Sequence, residues 1–586
     1  MMSILARPGG STREMPRRYR FTALVMLVLV ALTRPASSAT SVGIGYVIPS
    51  NRTEQTGAVD NLSSAMSRIQ AWYGEQMDRY GFGPKTFRLE SDSRGAPLVN
   101  VISTAKTDEQ MRSDLWGNTI NAASAGGLSP WALDHVYVLI PEAHQQQPDG
   151  SIVGGFAGGA SFGSGSDGGV SVLGSDVLFR LSSAMLLNND TYAGKIVPEF
   201  GPYPMVQDIS FPWFEQNTFS SIASSVQGAM AHELGHAFGL PHDFRNDSNF
   251  RGILMGNGLR GWRGAEYPYQ FAQDDVQLGY AAALVLNTSR YFNPDTTYTD
   301  NLRPTVSVTT SGAVTPTGGK LEVAFKARDA SGLSAAVLTR NGDVVDQLDL
   351  EGVASVDTSF NTPYYDVGTA DTYEVFVYDM AGNRQSQTST ITVASGTNRA
   401  PQPLVKLFGS QHYVDQVITL DANATTDPDD AASSLLVEWD FDNDGVFDTA
   451  PSNRKVIRTS FTTPGTGTVV ARFTDPHGAF SLSVPLAYRT LPLPGIPGDY
   501  NSNGTVDAAD YTVWKDSFGD MTNLTADGNG NGVIDAADYT VWKDHFGENS
   551  ASRDALQVVP EPTCCCVLSF VIVVFAAARR GSTVVS

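Results

Sequence analysis

Apolar positions in the first half of the chain follow two spacings. Runs of consecutive or alternating apolar residues bounded by glycine or proline predict strands, whereas apolar residues that return every three or four positions predict helices. The predicted strands are residues 41–49, 136–141 and 170–173, and the predicted helices are residues 59–80 and 222–238. Because strands and helices alternate, residues 40–300 are expected to form one α/β domain, the N-terminal α/β region below.

Beyond residue 300 the chain consists of short strand-like runs rich in threonine, serine, valine and glycine. Tight turns such as residues 341–343 separate these runs, a pattern typical of β-sandwiches. A polar linker at residues 395–403 divides the pattern in two. We therefore expect an immunoglobulin-like β-sandwich at residues 301–397 (the first β region) and another β-sandwich at residues 398–494 (the second β region).

The second β region contains two signatures besides its strand pattern. Residues 437–442, Val-Glu-Trp-Asp-Phe-Asp, and residues 475–478, Asp-Pro-His-Gly, resemble segments of PKD domains. That resemblance implies a spacer or a substrate-adhesion module. The region also has an acidic loop around Gly445, which is explained equally by a calcium site and by an aspartate-rich turn. Its aspartates are Asp440, Asp442, Asp444 and Asp448.

An internal repeat predicts calcium binding. A loop that begins at Asp499 recurs 28 residues later at Asp527. Each copy places oxygen ligands at loop positions 1, 3, 5, 7, 9 and 12 with glycine at position 6, which is EF-hand spacing, so about two Ca²⁺ ions are expected. The predicted ligands are Asp499, Asn501, Asn503, the carbonyl of Thr505, Asp507 and Asp510 in the first loop, and Asp527, Asn529, Asn531, the carbonyl of Val533, Asp535 and Asp538 in the second.

Residues 498–550 (the repeat region) resemble dockerin type I modules, because position 12 is aspartate and no entering helix precedes the first loop. The resemblance implies a small α-helical calcium-binding module with a cohesin-like partner. The usual contact positions hold small residues, Ala508-Ala509 and Ala536-Ala537. A calcium-stabilised stalk without a partner is therefore an equally good interpretation.

The net charge and the cysteines restrict the class of protein. The chain carries 39 basic and 61 acidic residues, a formal charge of −22. This balance argues against a nucleic-acid partner, because phosphate binding needs clustered lysine and arginine. The three cysteines are Cys564, Cys565 and Cys566. The domains before them are expected to fold without disulfides, and a cysteine nucleophile there is excluded.

Both ends of the chain have the pattern of targeting signals. Residues 1–39 combine a basic flank, a short apolar run and small residues up to Ala39, which predicts a secretory signal peptide; an N-terminal membrane anchor is the alternative. Residues 558–586 contain Pro-Glu-Pro, an apolar run and Arg579-Arg580, and they resemble a PEP-CTERM sorting tail. The resemblance implies export and removal of the tail by a sorting enzyme at the cell surface. A plain C-terminal membrane anchor is the alternative for this segment.

Residues 229–243 contain a candidate zinc site. His232 and His236 are four positions apart on a predicted helix, so both imidazoles lie on one helix face with room for one ion. Ser220 or Ser221 is expected to cap this helix.

A third ligand is expected from the chain that leaves the helix. Gly239 stands where a positive φ is needed, and the turn there returns His242 toward the other two histidines. Three neutral imidazoles leave one position of a tetrahedral zinc ion open for water, as in catalytic sites. Glu233, adjacent to a ligand, is the predicted general base that takes a proton from this water.

The motif His-Glu-x-x-His-x-x-Gly-x-x-His at residues 232–242 resembles that of the metzincin zinc metallopeptidases. The resemblance assigns metal binding to the three histidines and the role of base to Glu233. Asp243, directly after the third ligand, is similar to the adamalysin (reprolysin) branch, and Met255 is the candidate Met-turn residue beneath the ligands. Asn257 stands where astacins and serralysins have tyrosine.

These features predict a multidomain, secreted or cell-surface zinc endopeptidase that hydrolyses a protein or peptide substrate. The glycine-rich segment 154–160 is expected to be either an edge strand that pairs with an extended substrate or a flexible loop. The alternative function is a non-catalytic adhesion or scaffold protein with a degenerate peptidase domain. Bound zinc and hydrolysis that depends on Glu233 distinguish the two hypotheses.

Overall fold

The computed structural model describes residues 40–549 with several gaps. The gaps are residues 155–156, 163–167, 175–177, 179–180, 199, 207–217, 248–251, 269, 272–273, 275, 297, 365, 397, 493–494 and 521–523. The predicted signal peptide (1–39), the sorting tail (558–586) and residue 550 lie outside the described residues. Among the helices that are described, none is long and apolar enough to cross a membrane.

The chain divides into two compact units. The first consists of Met1–Gly409, Thr419–Ile457 and Thr466–Tyr488, and the second of Ser410–Ile418, Arg458–Gly465 and Arg489–Ser586. The first unit holds the N-terminal α/β region, the first β region and most of the second β region. The second unit holds the repeat region.

The N-terminal α/β region consists of a mixed sheet with helices packed against it. Its elements are β1 (Ser41–Ile48), α1 (Ala58–Arg79), β2 (Val99–Ser103), α2 (Asp108–Arg112), α3 (Leu115–Ala125), β3 (His135–Pro141), β4 (Gln145–Gln146), β5 (Ile152–Val153), β6 (Ala157–Ser161), β7 (Gly169–Leu173), α4 (Ser183–Leu186), α5 (Phe219–Ala237), β8 (Gly252–Ile253), α6 (Trp262–Glu266), β9 (Val276–Gln277) and α7 (Tyr280–Thr288). The main sheet has the order β2-β1-β3-β7-β6, in which β6 is an antiparallel edge strand and the others are parallel. The predicted strands and helices are confirmed, and part of the glycine-rich segment is the edge strand β6.

Helix α5 is capped by a different residue from the predicted serines. The hydroxyl of Thr218 accepts the amide of Ser221 at 3.2 Å, and the Ser221 hydroxyl accepts the amide of Thr218 at 3.2 Å. This reciprocal pair is a capping box with Thr218 as N-cap. Ser220 is not the cap because its hydroxyl donates to the Leu186 carbonyl at 2.6 Å, which ties α5 to α4.

Aromatic side chains fix α5 in the core. The ring of Phe238, just after α5, lies 6.2 Å from Tyr73 on α1, 5.3 Å from Phe87 and 5.2 Å from Phe292. All four side chains are buried, and each such burial contributes roughly 1.5–3 kcal/mol. The Tyr73 hydroxyl also donates to the Ala231 carbonyl at 2.9 Å. These contacts set the position of the helix that carries the candidate site.

The first β region is a six-stranded sheet. Its strands are β10 (Thr305–Val308), β11 (Gly312–Val314), β12 (Lys320–Arg340), β13 (Asp343–Pro363), β14 (Ala370–Asp379) and β15 (Arg384–Val393). They have the order β10-β12-β14-β15-β11, with β13 paired to β12. The pairing of β12 with β13 shifts register between Arg328 and Ala335, and residues on both sides of this irregularity contribute to one apolar core.

The second half of β12 is buried on both faces. Ala336 and Leu338 belong to the core of the first β region. Ala335 and Val337 point to the opposite face, because side chains alternate along a strand, and they belong to the core of the N-terminal α/β region together with Val344 of β13. Strand β12 therefore contributes to the apolar cores of both regions within the first compact unit.

The second β region is built from short strands. These are β16 (Lys406–Phe408), β17 (Gln411–Tyr413), β18 (Ile418–Asp421), β19 (Leu436–Asp440), β20 (Val456–Thr459), β21 (Gly465–Thr474), β22 (Phe480–Leu482) and β23 (Leu486–Leu491). Within the first compact unit β16 pairs with β18, and β21 pairs with β19 and β22, all antiparallel. Within the second unit β17 pairs in parallel with β23.

The repeat region has two helices, α8 (Ala508–Asp516) and α9 (Ala536–Asp544), each of which follows one of the repeated loops. Each copy of the repeat donates one hydrogen bond from its tryptophan to a backbone carbonyl of the other copy. The Trp514 indole donates to the Asp535 carbonyl and the Trp542 indole donates to the Asp507 carbonyl, both at 2.8 Å. The internal repeat is therefore also a structural repeat.

We expect the charge of Asp108 to stabilise the N-terminal α/β region. Its carboxylate accepts hydrogen bonds from Asn51 at 2.8 Å, Arg52 at 2.8 Å and Arg112 at 2.9 Å. Burial opposes ionisation, but these donors outweigh it and hold the pKa of Asp108 well below its usual range. Asp108→Asn should therefore lower the free energy of unfolding by about 2–4 kcal/mol at neutral pH. Urea unfolding of the full chain measures this difference.

Urea unfolding at low pH tests whether the ionised form of Asp108 is the stabilising one. Because the folded pKa lies below the unfolded value of about 3.9, the stabilisation is present above about pH 4 and is lost as the pH falls toward the folded pKa. The control is Asp190→Asn, which removes an exposed pair with Lys195 and should cost less than about 1 kcal/mol. Equal effects of the two variants, or an effect of Asp108→Asn that persists in acid, would contradict the prediction.

Candidate functional site

Helix α5 carries two of the three predicted histidines along the edge of the sheet, next to β6 and β7. His232 and His236 are one turn apart on it, and their ring centroids are separated by 4.7 Å. His232 is buried and His236 is partly buried. The spacing of four residues places both imidazoles on the same helix face, as predicted.

The chain turns back sharply after α5. Gly239 has a φ of +90°, and the amide of Leu240 donates to the Gly235 carbonyl at 3.0 Å. A positive φ of this kind costs glycine little, which is the reason predicted for a glycine here. The turn brings Nε2 of His242 to 3.1 Å from Nε2 of His236, and donor nitrogens of all three histidines lie within 4.8 Å of one another.

The second ring nitrogens of the α5 histidines are bound to backbone carbonyls. Nδ1 of His232 lies 2.7 Å from the Leu254 carbonyl oxygen, and Nδ1 of His236 lies 2.8 Å from that of Leu240. A neutral imidazole donates from one nitrogen only, so donation from Nδ1 leaves the lone pair of Nε2 free to bind an ion. Nδ1 of His242 faces the carboxylate of Asp343, at 3.9 Å from its Oδ1.

Burial favours the uncharged form of all three imidazoles. Burial, reinforced by the neighbouring imidazoles, lowers the pKa of His232 to about 3 and that of His236 to about 4. Burial also lowers the pKa of His242. The 3.1 Å between two Nε2 atoms is close to the roughly 3.3 Å that separates two nitrogens on a tetrahedral zinc ion with bonds of about 2.0–2.1 Å. The spacing of this pair therefore fits a tetrahedral divalent ion, and a donor nitrogen of His232 lies within 4.8 Å of donor nitrogens of both.

Met255 and Asp243 lie at the site without joining the donor cluster. Met255 is fully buried, and its sulfur is 2.5 Å from the point that a Cβ on Gly235 would occupy, so it packs directly against the α5 turn between the two histidines. The Asp243 amide donates to the Met255 carbonyl at 3.1 Å. The Asp243 carboxylate pairs with Arg245 at 2.8 Å. Both residues support the loop around the third histidine.

Glu233 faces the edge strand β6. Its carboxylate accepts a hydrogen bond from the Gly159 amide, and burial nonetheless raises the pKa of Glu233 to about 7. A Cβ on Gly159 would lie 2.0 Å from the Glu233 carbonyl oxygen. Only glycine therefore lets β6 approach α5 this closely, and the sequence analysis did not single out this position.

The other two histidines of the N-terminal α/β region lie outside the cluster. His135 pairs with Glu90 at 3.3 Å, and the buried His144 lies 3.3 Å from Glu142. The donor cluster thus draws only on the histidines of the sequence motif.

The two predicted calcium loops share one conformation. In the first, Asp499 accepts the amides of positions 5 and 6 at 3.1 and 2.8 Å, and the fully buried Asp510 accepts those of positions 3 and 9 at 2.9 and 2.8 Å. Asp527 and the fully buried Asp538 repeat these contacts in the second loop. Backbone amides therefore fix the orientation of the carboxylates at loop positions 1 and 12.

Carboxylates also cluster elsewhere among the described residues. In the predicted acidic loop, oxygens of Asp440, Asp442 and Asp448 lie within 4.8 Å of one another, and Asp444 is not part of the group. Two similar groups were missed in the sequence: Asp300, Asp329 and Asp379, and Asp427, Asp430 and Asp475. Each combines residues from distant segments, so local spacing cannot reveal it.

Comparison with known proteins gives no family for the chain. No protein-family model matches it, and no curated protein matches it. Wild-type OgpA from Akkermansia muciniphila is 16% identical, with a TM-score of 0.41, and the match covers 63% of this chain and 98% of that chain. A catalytically inactive OgpA in complex with an O-glycopeptide substrate is 15% identical, with a TM-score of 0.40, covering 60% and 93%.

A third solved structure is similar over a smaller part of the chain. The fibronectin(III)-like modules of CbhA from Clostridium thermocellum are 13% identical, with a TM-score of 0.13, and the match covers 32% of this chain and 95% of that chain. These likenesses are too low to imply a shared fold or function. The case for a function therefore depends on the residues of the site.

Gly159→Ala is expected to destabilise the N-terminal α/β region by about 1–3 kcal/mol, because the new Cβ would meet a backbone oxygen that cannot move independently. The matched control is Gly74→Ala on α1, where the nearest atom to a new Cβ is 3.5 Å away and alanine favours the helix by about 1 kcal/mol. Urea unfolding of the full chain compares them. Similar unfolding midpoints for both variants would contradict the close approach of β6 to α5.

Proposed function

We propose that the N-terminal α/β region is a zinc-dependent endopeptidase of the metzincin type, similar to the adamalysin branch. The observation that supports it most directly is the convergence of His232, His236 and His242 within 4.8 Å, with Glu233 next to the first of them. Three neutral imidazoles as the only protein ligands are typical of a catalytic rather than a structural zinc site, and Glu233 lies beside them without being a ligand.

The chain's own groups supply binding and proton transfer. The Nε2 lone pairs of His232, His236 and His242 would hold the ion, which would supply Lewis-acid polarisation of a carbonyl and a lowered pKa of water. Glu233 accepts a proton from the attacking water and returns it to the leaving amine. A pKa of about 7 suits both steps, since the group then gains and loses a proton with little cost at neutral pH.

The surroundings of the site suit an extended peptide. β6 is an edge strand beside Glu233, and an edge strand can add a peptide through main-chain hydrogen bonds. Phe244 is 44% exposed, and its ring centroid is 5.4 Å from that of His242. Backbone pairing at β6 and apolar contact at Phe244 together favour cleavage within a chain rather than at its end.

The other regions are proposed to present the enzyme outside the cell. The signal peptide and the sorting tail account for export and for a sorting enzyme at the C-terminus, and the two β regions act as spacers. The repeat region binds about two Ca²⁺ ions, with a cohesin-like protein as its candidate partner. The alternative is an adhesion or scaffold protein without peptidase activity, which would lack Glu233-dependent hydrolysis.

Glu233→Gln is expected to reduce casein or gelatin cleavage by about 10²–10⁴-fold, because the general base is lost. The same variant should keep one zinc ion per chain, since Glu233 is not a ligand, whereas His236→Ala should lose the zinc. The control is Glu75→Gln, which changes a partly exposed glutamate paired with Arg79 on α1 and should leave cleavage unchanged. Metal analysis and peptide release by the full chain measure both quantities.

Different outcomes separate the two hypotheses. A wild-type chain without zinc would overturn the metallopeptidase proposal. Zinc that is bound without any Glu233-dependent cleavage would favour the adhesion protein.

Calcium is expected to bind both loops of the repeat region. Because Asp499 and Asp527 occupy position 1 of their loops, Asp499→Ala should lower the number of bound Ca²⁺ ions by one, and replacing both should lower it by two. The control is Asp516→Ala, an exposed position on α8 outside the loop. Calorimetric titration of the full chain counts the ions. An unchanged count in the double variant would contradict calcium binding by these loops.

A further inference from the structure

The third histidine differs from the other two in the partner of its second ring nitrogen. Nδ1 of His232 and Nδ1 of His236 face carbonyls of the N-terminal α/β region. Nδ1 of His242 instead faces Asp343, the first residue of β13 in the first β region. The candidate site thus extends across the boundary between the two regions.

The first β region also binds the backbone of His242. The Val344 amide donates to the His242 carbonyl at 2.8 Å, and His242 forms a parallel bridge with Asp343. The histidine is therefore held by its main chain on the same strand whose carboxylate faces its ring. One short segment of β13 makes both contacts.

The turn that leads into Asp343 is held in place by hydrogen bonds. The turn between β12 and β13 has positive φ at Asn341 (53°) and Gly342 (100°). The Asn341 side chain donates to Oδ1 of Asp371 and the Arg340 guanidinium donates to Oδ2 of Asp371, each at 2.8 Å. These bonds fix the orientation of the turn and therefore the position of the Asp343 backbone.

Apolar packing and a hydrogen bond join the N-terminal α/β region to the first β region behind the turn between β12 and β13. Val344 and Val337 lie in the same apolar core as Phe238 and Leu240, which flank the turn after α5. The Arg290 guanidinium, from the N-terminal α/β region, donates to the Ala381 carbonyl at 3.1 Å. Moving the backbone of Asp343 away from His242 would therefore break a buried interface.

We propose that Asp343 is a positioning residue for His242 and that the first β region thereby completes the metal centre. This inference rests on the proposed function. A carboxylate that accepts the Nδ1 proton of a ligand histidine fixes the tautomer and the ring orientation, which leaves Nε2 for the metal. The gap of 3.9 Å closes to a hydrogen bond with a shift of about 1 Å, which the half-exposed Asp343 side chain has room to make.

The test compares metal binding by full-chain variants. Asp343→Ala is expected to weaken zinc binding by about 10–100-fold, as is typical when the partner of a ligand histidine is lost. The control is Asp357→Ala, which removes an exposed aspartate of the same strand that pairs with Lys326, and it should bind zinc as the wild type does. Competition with a chromophoric chelator gives the affinities. The visible spectrum of the cobalt-substituted protein reports ligand geometry and should change in Asp343→Ala alone.

A second variant keeps the test decisive if the first fails to fold. Asp343→Asn keeps the volume and one acceptor oxygen but loses the charge, so a smaller loss of affinity and an intermediate cobalt spectrum are expected. Wild-type affinity and an unchanged cobalt spectrum in the folded variants would overturn the role of Asp343 while leaving the proposed peptidase intact. Failure of the wild-type chain to bind zinc or cobalt would overturn both proposals, which distinguishes the two results.

Discussion

Three imidazoles can bind one metal ion only if all of them are uncharged, because a protonated ring nitrogen has no lone pair to donate. Imidazolium ions at the separations found between His232, His236 and His242 would repel strongly in a poorly hydrated interior. The fold meets this requirement by burial, which lowers the pKa of each histidine. The aromatic side chains around Phe238 hold α5 in the interior, so the packing of the helix contributes to the burial that lowers these pKa values.

Burial of apolar side chains also joins the first β region to the N-terminal α/β region. The N-terminal α/β region leaves an apolar surface that β12 and β13 cover with Val337 and Val344. A strand buried on both faces belongs to two cores at once, and both regions lie in the first compact unit. The first β region, proposed as a spacer, is therefore also part of the wall of the candidate site.

The local features of the site were predictable from the sequence. Spacing of four residues on a helix, a glycine at the exit turn and a third histidine beyond it are short-range patterns whose geometry depends on a few backbone angles. The repeated loops are predictable for the same reason, since position 1 and position 12 of each loop bind amides of their own loop. The cap of α5 was predicted at Ser220 or Ser221 and lies at Thr218, because the hydroxyl of Ser220 is engaged with α4.

The donor types, their order along the chain and the alternation of strands and helices were predictable, because these depend on spacing and on the chemistry of single side chains. Which groups meet from distant segments depends instead on the folded chain. Asp343 directly follows an ordinary turn, 101 positions after His242, and Gly159 lies in a glycine-rich run. Their roles arise from the packing of β13 and β6 around α5, and such long-range contacts depend on the whole apolar interior rather than on any local pattern.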